Sequence, residues 1–398
     1  VAPHALVSNL PQFLLRLLEK LCSLKNIIFA QADKNLGPAA VTLEQYIKDA
    51  LVHLADSSTY ELLTETEARS RDEDLRLDIR HWLHKYSRSL DIDTRIYIRS
   101  KLDKTKADPF GYFYLLYKIH KTPLKTRPVC SDCGSTPHAL GIWVDAMLQP
   151  IVKSMPSYFK DSFTLTKLLH KIKLSGNCSI FSFDAISMYT KINTADCLKR
   201  LSEFLLLPST QDKFQHYPAK ALVKALNLVM QNNRMRFGDL YIQQISGIAM
   251  GMSPAPTIAN LYVSIFETEV ILPLFKKYLP LYLRFIDDGL AVWQHSNNKM
   301  LDAELIQNFK TAINNSGLKW TFTPPTNQVK FMDLNISLSK GQFSTNLFEK
   351  PLALHLYIPP HSCHPPGCFK GLLTGMVLRI YRLCSYKKDV DTWLTSFY

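Results

Sequence analysis

Apolar positions along this chain switch between two periods. Near the start, Leu14, Leu17, Leu18 and Leu21 recur at helical spacing, and Leu43–Leu54 carries a second stripe of that kind. Between them, Ala32-Asp33-Lys34-Asn35-Leu36-Gly37-Pro38 reads as a loop feeding a short strand over 39–42. Residues 65–86 are so rich in charge that they predict a solvated helix. From Tyr112 the pattern becomes an aromatic strand over 112–117, then a basic turn over 118–128, which together predict a hairpin with a cationic tip. Helices are expected over 137–155, 165–172, 195–206 and 219–231, a strand hairpin over 235–245, and a long helix after Pro256. An apolar hairpin follows around residues 282–293, then a helix near 304–314, strands over 319–323, 329–338 and 342–348, and a terminal helix over 369–385.

Strand, helices, hairpin, helix and strand in that order give an α+β fold class, an antiparallel sheet backed by helices in a split βαβ arrangement. Two of its strands end unusually. Ile180-Phe181-Ser182-Phe183 runs into Asp184, and Tyr282-Leu283-Arg284-Phe285-Ile286 runs into Asp287-Asp288-Gly289. Aspartate is a poor strand residue, so an apolar run that closes on one has a reason to hold charge at a sheet edge.

Composition narrows the partners. With 398 residues, 46% of them hydrophobic and 20% charged, the chain is long enough for two or three domains and is not disordered. A formal charge of +13 points to a polyanion, either nucleic acid or an anionic membrane surface. The uncharged window 245–266 contains Gly247, Gly251, Pro254, Pro256 and Asn260, which interrupt a simple spanning helix, so no membrane partner is expected. No signal-peptide pattern opens the chain, and its eight cysteines are scattered, as expected of reduced thiols in an intracellular protein. The chain begins at Val1 and stops at Tyr398 inside a helix-like pattern, so it is expected to be a piece of a longer protein. Cys130 and Cys133 have the spacing of a zinc half-site that Cys363, His364 and Cys368 could complete, but loop and packing roles are the preferred reading.

Asp184 and Asp287 lie far apart in sequence, so only folding can bring them together. Mg²⁺ prefers oxygen ligands and is held by one or two carboxylates plus substrate phosphates. Two such ions about 4 Å apart can activate a hydroxyl and stabilise a leaving phosphate oxygen. Asp184 and Asp287 suffice as carboxylates for that role. Because neighbouring strand residues face opposite sides, Asp287 is expected to be the stronger ligand and Asp288 a weaker or water-mediated one. The bland alternative is that Asp288-Gly289 is a hairpin turn pair and Asp184 a strand terminator.

Several segments resemble a known family. Phe183-Asp184-Ala185-Ile186-Ser187-Met188-Tyr189-Thr190-Lys191-Ile192 resembles the first catalytic motif of reverse transcriptases. Ala249-Met250-Gly251-Met252-Ser253-Pro254-Ala255-Pro256, with Ala259-Asn260-Leu261-Tyr262, is similar to the motif ahead of their template-supporting helix, and Phe285-Ile286-Asp287-Asp288 to their second catalytic motif. Within that superfamily the chain is most similar to Penelope-like element reverse transcriptases, the telomerase-related branch. The Asp33 loop, the Lys118-Ile119-His120-Lys121 and Arg127-Pro128 hairpin, Phe331-Met332-Asp333-Leu334, and His361-Ser362-Cys363-His364-Pro365-Pro366 ahead of Lys370-Gly371-Leu372 carry this likeness, in order, from about residue 28 to 386.

The resemblance implies a right-hand polymerase: a helical N-terminal region over 1–110, fingers over 111–175, a palm over 176–345 with part of 205–250 packing with the fingers, and a truncated thumb over 346–398. It implies an RNA-directed DNA polymerase of a retroelement, using an RNA template, a DNA primer or target, deoxynucleoside triphosphates and two Mg²⁺ ions, with Mn²⁺ as a substitute. Tyr189 would form the aromatic floor under the incoming sugar and exclude a 2′-hydroxyl, or else be a packed core residue. Lys118 and Arg127 would meet the triphosphate, where a guanidinium fork suits phosphate oxygens. Lys121 and Lys125 would touch template or primer, or be solvated loop residues. Gly251 would allow close backbone approach to the nascent base pair. Met250 stands where many relatives carry glutamine, and Ala255 where serine is usual, with Ser253 as a substitute. Met250 and Pro256 are expected on the template side. Lys319, or else Lys330, would neutralise the pyrophosphate. Lys370 and Arg379, with Arg382, Lys387 and Lys388, would follow duplex phosphates. No GIY-YIG endonuclease pair occurs in the sequence, and a nuclear location is expected. The competing readings are a primer-dependent RNA polymerase, which Tyr189 disfavours, and a domesticated nucleic-acid-binding protein that has lost catalysis.

Overall fold

A computed structural model of the chain describes residues 11–214, 218–350, 357–359 and 362–396. Its centre is a four-stranded antiparallel sheet in the order Trp320–Phe322, Cys178–Ala185, Asp288–Gln294, Leu281–Phe285. The two inner strands are apolar on both faces, as strands covered on both sides must be. Ile180, Leu290, Ala291, Val292 and Trp293 are all fully buried. Phe309, from the helix Lys299–Asn314, sits edge-on to Phe181, Phe183, Phe275, Tyr282 and Phe322, so aromatic rings fill one side of the sheet. Edge-to-face packing of this kind adds about 0.5–1.5 kcal/mol per pair beyond area burial.

The helix Ala255–Phe266 runs on through a π-turn, Glu267–Ile271, into Leu272–Phe275. By length and composition Ala255–Phe275 could cross a membrane, but it is largely buried inside the fold, and its one fully buried acid, Glu267, is ion-paired with Arg284. A core helix satisfies those observations.

A second, five-stranded sheet has the order Tyr60–Leu63, Leu240–Gln244, Asn233–Phe237, Gly111–Lys118, Lys125–Ser131. A third joins Gln328–Phe331, Leu334–Ser339 and Gln342–Leu347. The chain divides into two compact units: Val1–Val52, Leu115–Arg127 and Thr345–Tyr398 in the smaller, His53–Tyr114 and Pro128–Ser344 in the larger.

Within the smaller unit, Ile27–Gln31 and Pro38–Thr42 form an antiparallel pair. The loop between them closes through the Ala32 amide, which donates to Gly37 O at 3.0 Å. Tyr117 donates to Asp49 at 2.9 Å, tying the hairpin tip to the helix Leu43–Leu54. The helices Pro366–Leu383 and Lys387–Ser396 are anchored through Asn346, which accepts from the Trp393 indole at 2.9 Å.

Three sequence expectations change. The charged helix Glu65–Lys85 is not merely solvated: it buries Leu75, Ile79 and Trp82, and its Asp72–Arg76 ion pair (2.6 Å) is sealed in, with Arg76 also donating to Thr105 O and Thr136 Oγ1. Charge density hid a core helix: most of its charges face outward, and the two that face inward, Asp72 and Arg76, pair with each other. A helix over Ile92–Lys104, capped by Asp91, was not foreseen, because its apolar positions are too weakly periodic to stand out. The apolar run over 329–338 is two strands, not one, turned at Met332, whose φ is 52°.

Candidate active site

The two aspartate-bearing strands are neighbours, and their register puts Asp288 directly opposite Asp184. Cross-strand partners share a sheet face with Cβ atoms about 4.5–5.5 Å apart, so these two carboxylates project together. Asp287 lies one step beyond. It is the second residue of a two-residue turn, Ile286-Asp287, and its carbonyl accepts from the Ala185 amide at 3.1 Å. Asp184 is exposed and the other two half-buried.

This corrects the hairpin-turn alternative: Asp288 is the first residue of a strand, and Gly289 is not a turn glycine. A Cβ on Gly289 would stand 2.1 Å from the Phe183 ring, which crosses over it from the neighbouring strand. Glycine here is the condition for Phe183 to pack, and Phe183 precedes Asp184.

Beneath the turn lies a polar network that sequence reading did not single out. Arg284, fully buried, donates through Nε to Glu267 Oε1 (2.6 Å), through Nη1 to Asn260 Oδ1 (2.8 Å) and Ile286 O (2.6 Å), and through Nη2 to Ser264 Oγ (2.7 Å) and Glu267 Oε2 (3.0 Å). The Tyr282 hydroxyl and Ser157 Oγ complete the Glu267 carboxylate at 2.7 and 2.6 Å. Burial, and then the Glu267 charge, push the Tyr282 phenol well above its ordinary range, so it remains a neutral donor. The only signal in the sequence was a charged residue set among apolar neighbours on each segment, Arg284 after Tyr282-Leu283 and Glu267 after Ser264-Ile265-Phe266, with Glu269, Asp287 and Asp288 close by to mask it.

The flanking residues are positioned by backbone contacts. Extended geometry ends at Ala185, so alternation along a strand does not orient Tyr189; Ser187 is left-handed (φ 53°) and opens a short helix, Met188–Lys191. The Tyr189 carbonyl accepts from Ile248 N at 2.7 Å, joining this turn to the segment ahead of Met250. Met250 O accepts from Cys130 N at 2.7 Å, and a Cβ on Gly251 (φ 114°) would meet Cys130 O at 3.0 Å. The close approach that glycine permits there is to this strand. Pro256 is exposed in the first turn of its helix. Lys319 is exposed at the acidic end of the central sheet, its carbonyl accepting from Ile186 N at 2.8 Å, whereas Lys330 lies on the three-stranded sheet.

In the smaller unit, Arg127 pairs with buried Asp33 at 3.3 Å. Lys118 is held below its ordinary range by burial and then by Arg127, so the cations crowd one another there. Lys121 and Lys125 are exposed. Lys370 and Arg379 are nine positions apart on Pro366–Leu383, two and a half helical turns, so they project from opposite sides rather than forming one phosphate-facing row. His361, part of the family-like segment ahead of this helix, lies outside the described residues.

All eight cysteines are free thiols, with Cys130 buried against Tyr60 and Cys133 exposed. Among the described residues, no three His, Cys, Asp or Glu side chains converge as a ready metal cage, whether at the cysteines or at the aspartates. The aspartate set nevertheless suits a hard divalent cation, being all oxygen, at a solvent-facing sheet end, and dependent on water or phosphate to fill the shell.

Comparison with known proteins places this geometry on a familiar fold. A telomerase from Candida albicans, solved with a fragment of telomeric RNA, superposes with a TM-score of 0.59 over 93% of this chain, at 11% identity. The chain spans 59% of that protein's length. A telomerase from Candida tropicalis lacking its C-terminal domain aligns over 60% of this chain and 55% of its own, with a TM-score of 0.44 and 12% identity. The first likeness shows a telomerase-like fold of mixed α and β structure. The family model described as an animal helix-turn-helix domain matches residues 356–395, which include the two C-terminal helices. No curated protein sequence matches the chain.

Proposed function

We propose that this chain is the polymerase portion of an RNA-directed DNA polymerase, a reverse transcriptase of a Penelope-like retroelement acting in the nucleus. It would extend a DNA primer 3′-hydroxyl with deoxynucleoside triphosphates on an RNA template. The observation that carries the reading is the register of Asp288 on Asp184, with Asp287 in the adjoining turn, on a telomerase-like fold.

In this reading Asp184, Asp287 and Asp288 hold Mg²⁺, or Mn²⁺ in its place. Bound metal would lower the pKa of the attacking hydroxyl and take up charge on the leaving oxygen. The remaining roles fall to the chain's own side chains. Lys319 Nζ gives charge or a proton to the departing pyrophosphate. Arg127, oriented by Asp33, grips triphosphate oxygens with its fork, and Lys118 adds a point charge. Tyr189 fills the space a ribose 2′-hydroxyl would need, and Gly251 acts on the nucleotide indirectly, by letting the Met250 segment close on the strand at Cys130. Met250, Pro256, Lys121 and Lys125 line the template and primer, and Lys370 and Arg379 meet duplex phosphates from different sides of one helix. Fingers, palm and thumb over 111–175, 176–345 and 346–398 are the layout this assigns.

The test is primer extension on an RNA template with Mg²⁺, comparing deoxynucleotides with ribonucleotides. Extension with deoxynucleotides is expected. Dependence on ribonucleotides would replace the reading with an RNA polymerase, and template binding without extension by either would leave a nucleic-acid-binding protein.

A further inference from the structure

Arg284 is buried without any exposed surface, and so is its partner Glu267. A buried ion pair is a poor way to gain stability, since an apolar set of similar volume usually does as well or better. Six acceptor contacts nevertheless surround this guanidinium, from Glu267 Oε1 and Oε2, Asn260 Oδ1 and O, Ser264 Oγ and Ile286 O. Five of them come from the helix Ala255–Phe266 and the π-turn that continues it. The sixth, Ile286 O, belongs to the turn that carries the aspartates.

Ile286 is itself anomalous. Its φ is 57°, a left-handed conformation that is costly for a β-branched side chain, on the order of 1–3 kcal/mol. Such a residue persists only where its surroundings over-determine it. Arg284 does so from below at 2.6 Å, while the Ala185 amide holds Asp287 O from the neighbouring strand. The Arg284 amide is in turn fixed by Ser157 O at 2.8 Å. The π-turn beginning at Glu267 is a further departure from regular geometry, and it lies where the carboxylate meets Arg284.

We propose that Arg284 is a positioning residue for the reaction: it clamps the strained Ile286-Asp287 turn onto the buried Glu267 helix and so fixes where the metal-holding aspartates project. This rests on the polymerase reading above. A rigid polar clamp suits the task because loss of about 1 Å in the placement of reacting groups can lower a rate about 10²-fold. Lysine cannot replace the fork, being a point charge without planar bidentate geometry.

The experiment compares wild type, Arg284→Lys, Ile286→Gly and the double variant by single-turnover extension and by hydrogen exchange. Arg284→Lys keeps the buried charge while losing the fork. Its extension rate is expected to fall about 10²-fold, with template–primer affinity unchanged. Amide exchange should rise about tenfold at Asp287–Gly289 and stay as in wild type at Trp293 and Gln294, on the same strand. Glycine at 286 removes the conformational cost that the clamp opposes, so the rate penalty of Arg284→Lys should shrink several-fold in the Ile286→Gly background. Exchange that rises equally at both ends of the strand, or the same lysine penalty in both backgrounds, would reduce Arg284 to a packing residue. If Arg284→Lys fails to fold, Ser264→Ala, which removes one guanidinium acceptor, should give the same pattern in milder form, and exchange confined to neither end would overturn the clamp. If wild type itself extends no primer, the polymerase reading falls, and the exchange pattern alone decides whether the turn is clamped.

Discussion

Two ends of one strand pair are built on different terms. At the end of Cys178–Ala185 and Asp288–Gln294 away from the turn, His295 bridges Ser179 Oγ (2.8 Å) and Asp302 Oδ2 (2.7 Å), while the Trp293 indole and the Ser296 amide donate to Asp302 Oδ1 at 3.1 and 2.9 Å. Gln294 closes the corner by accepting from Cys178 Sγ and donating to Asn177 O. The Ser179–His295–Asp302 chain has the connectivity of a hydrolytic triad. Yet Ser179 and Asp302 are buried, and Ser179 is paired across to Trp293 on an inner strand. It ties the strand end to the helix Lys299–Asn314. At the other end Asp184 and Asp288 stand opposite each other with Asp287 in the adjoining turn, Asp184 exposed, and the chain takes positive φ at Ser187 and Ile286. Polar groups at the first end are locked among one another in the fold; at the second, acids stand at a solvent-facing sheet end beside strained backbone, the kind of departure that clusters at functional sites.

The largest separation between the two ends should come from Asp287→Asn. On the proposed reading, in which Asp287 holds metal, its loss would remove several kcal/mol of transition-state charge stabilisation, so extension should drop on the order of 10³-fold. Thermal stability should not fall, since Asp287 is half-buried in a turn held by its backbone. An Asp287→Asn protein that extends primers normally would remove this end's assigned function. Running Asp288→Asn beside it ranks the pair, because the register favours Asp288 as the companion of Asp184 while the sequence favoured Asp287.

Gly289→Ala tests how sharply the functional end is bounded. Its new methyl would collide with the Phe183 ring, and overpacking of this kind costs about 1–3 kcal/mol. Denaturant midpoints should fall, and extension should fall with them because Phe183 leads into Asp184. His295→Ala makes the opposite cut. It breaks two hydrogen bonds and strands a buried acceptor on Asp302, which costs about 1–3 kcal/mol of stability. Extension per folded molecule should be unchanged. A matching loss of activity would mean that the closed end also serves the reaction.

The same contrast explains how much could be read in advance. Most strands and helices announced themselves because apolar period is dictated by burial, and the aspartates stood out because carboxylates at the ends of apolar runs oppose strand preference. Their companions were hidden. Arg284 and Glu267 each look like an exception inside an apolar segment, and only the fold shows that they are exceptions to the same rule, paired across Ala255–Phe275 and the hairpin. The Glu65–Lys85 helix misled for the same reason, because Arg76 and Asp72 satisfy each other out of sight. The alternative of an Asp288-Gly289 turn arose because Asp-Gly is a common turn pair; the turn is two residues earlier, and Phe183 supplies the reason for the glycine. Local propensity reports what a residue does alone; long-range pairing decides these cases.

The smallest effect concerns Asp132, which accepts from His138 Nδ1 at 3.0 Å through one oxygen and faces the Ser253 amide at 3.4 Å with the other. It supports the segment between Met250 and the helix that carries Asn260 and Ser264, and so could belong with either end of the comparison. The Asp132 hydrogen bond raises the His138 pKa above its ordinary value, with burial working against it. A histidine raised in the folded state binds its proton more tightly there than when unfolded. Its contribution is therefore fully present below the unfolded pKa, about 6.5, and is lost as pH climbs through the folded value. Wild type should thus exceed Asp132→Asn in stability most at about pH 5.5, and the gap should narrow toward about pH 8.5 in denaturant titrations. His138→Gln should abolish this pH dependence. If extension, measured per folded molecule, keeps the same pH profile in both variants, the Asp132–His138 pair belongs with His295 among groups that only hold the fold. A changed extension profile would place it with Arg284, acting on the site through the helix it supports.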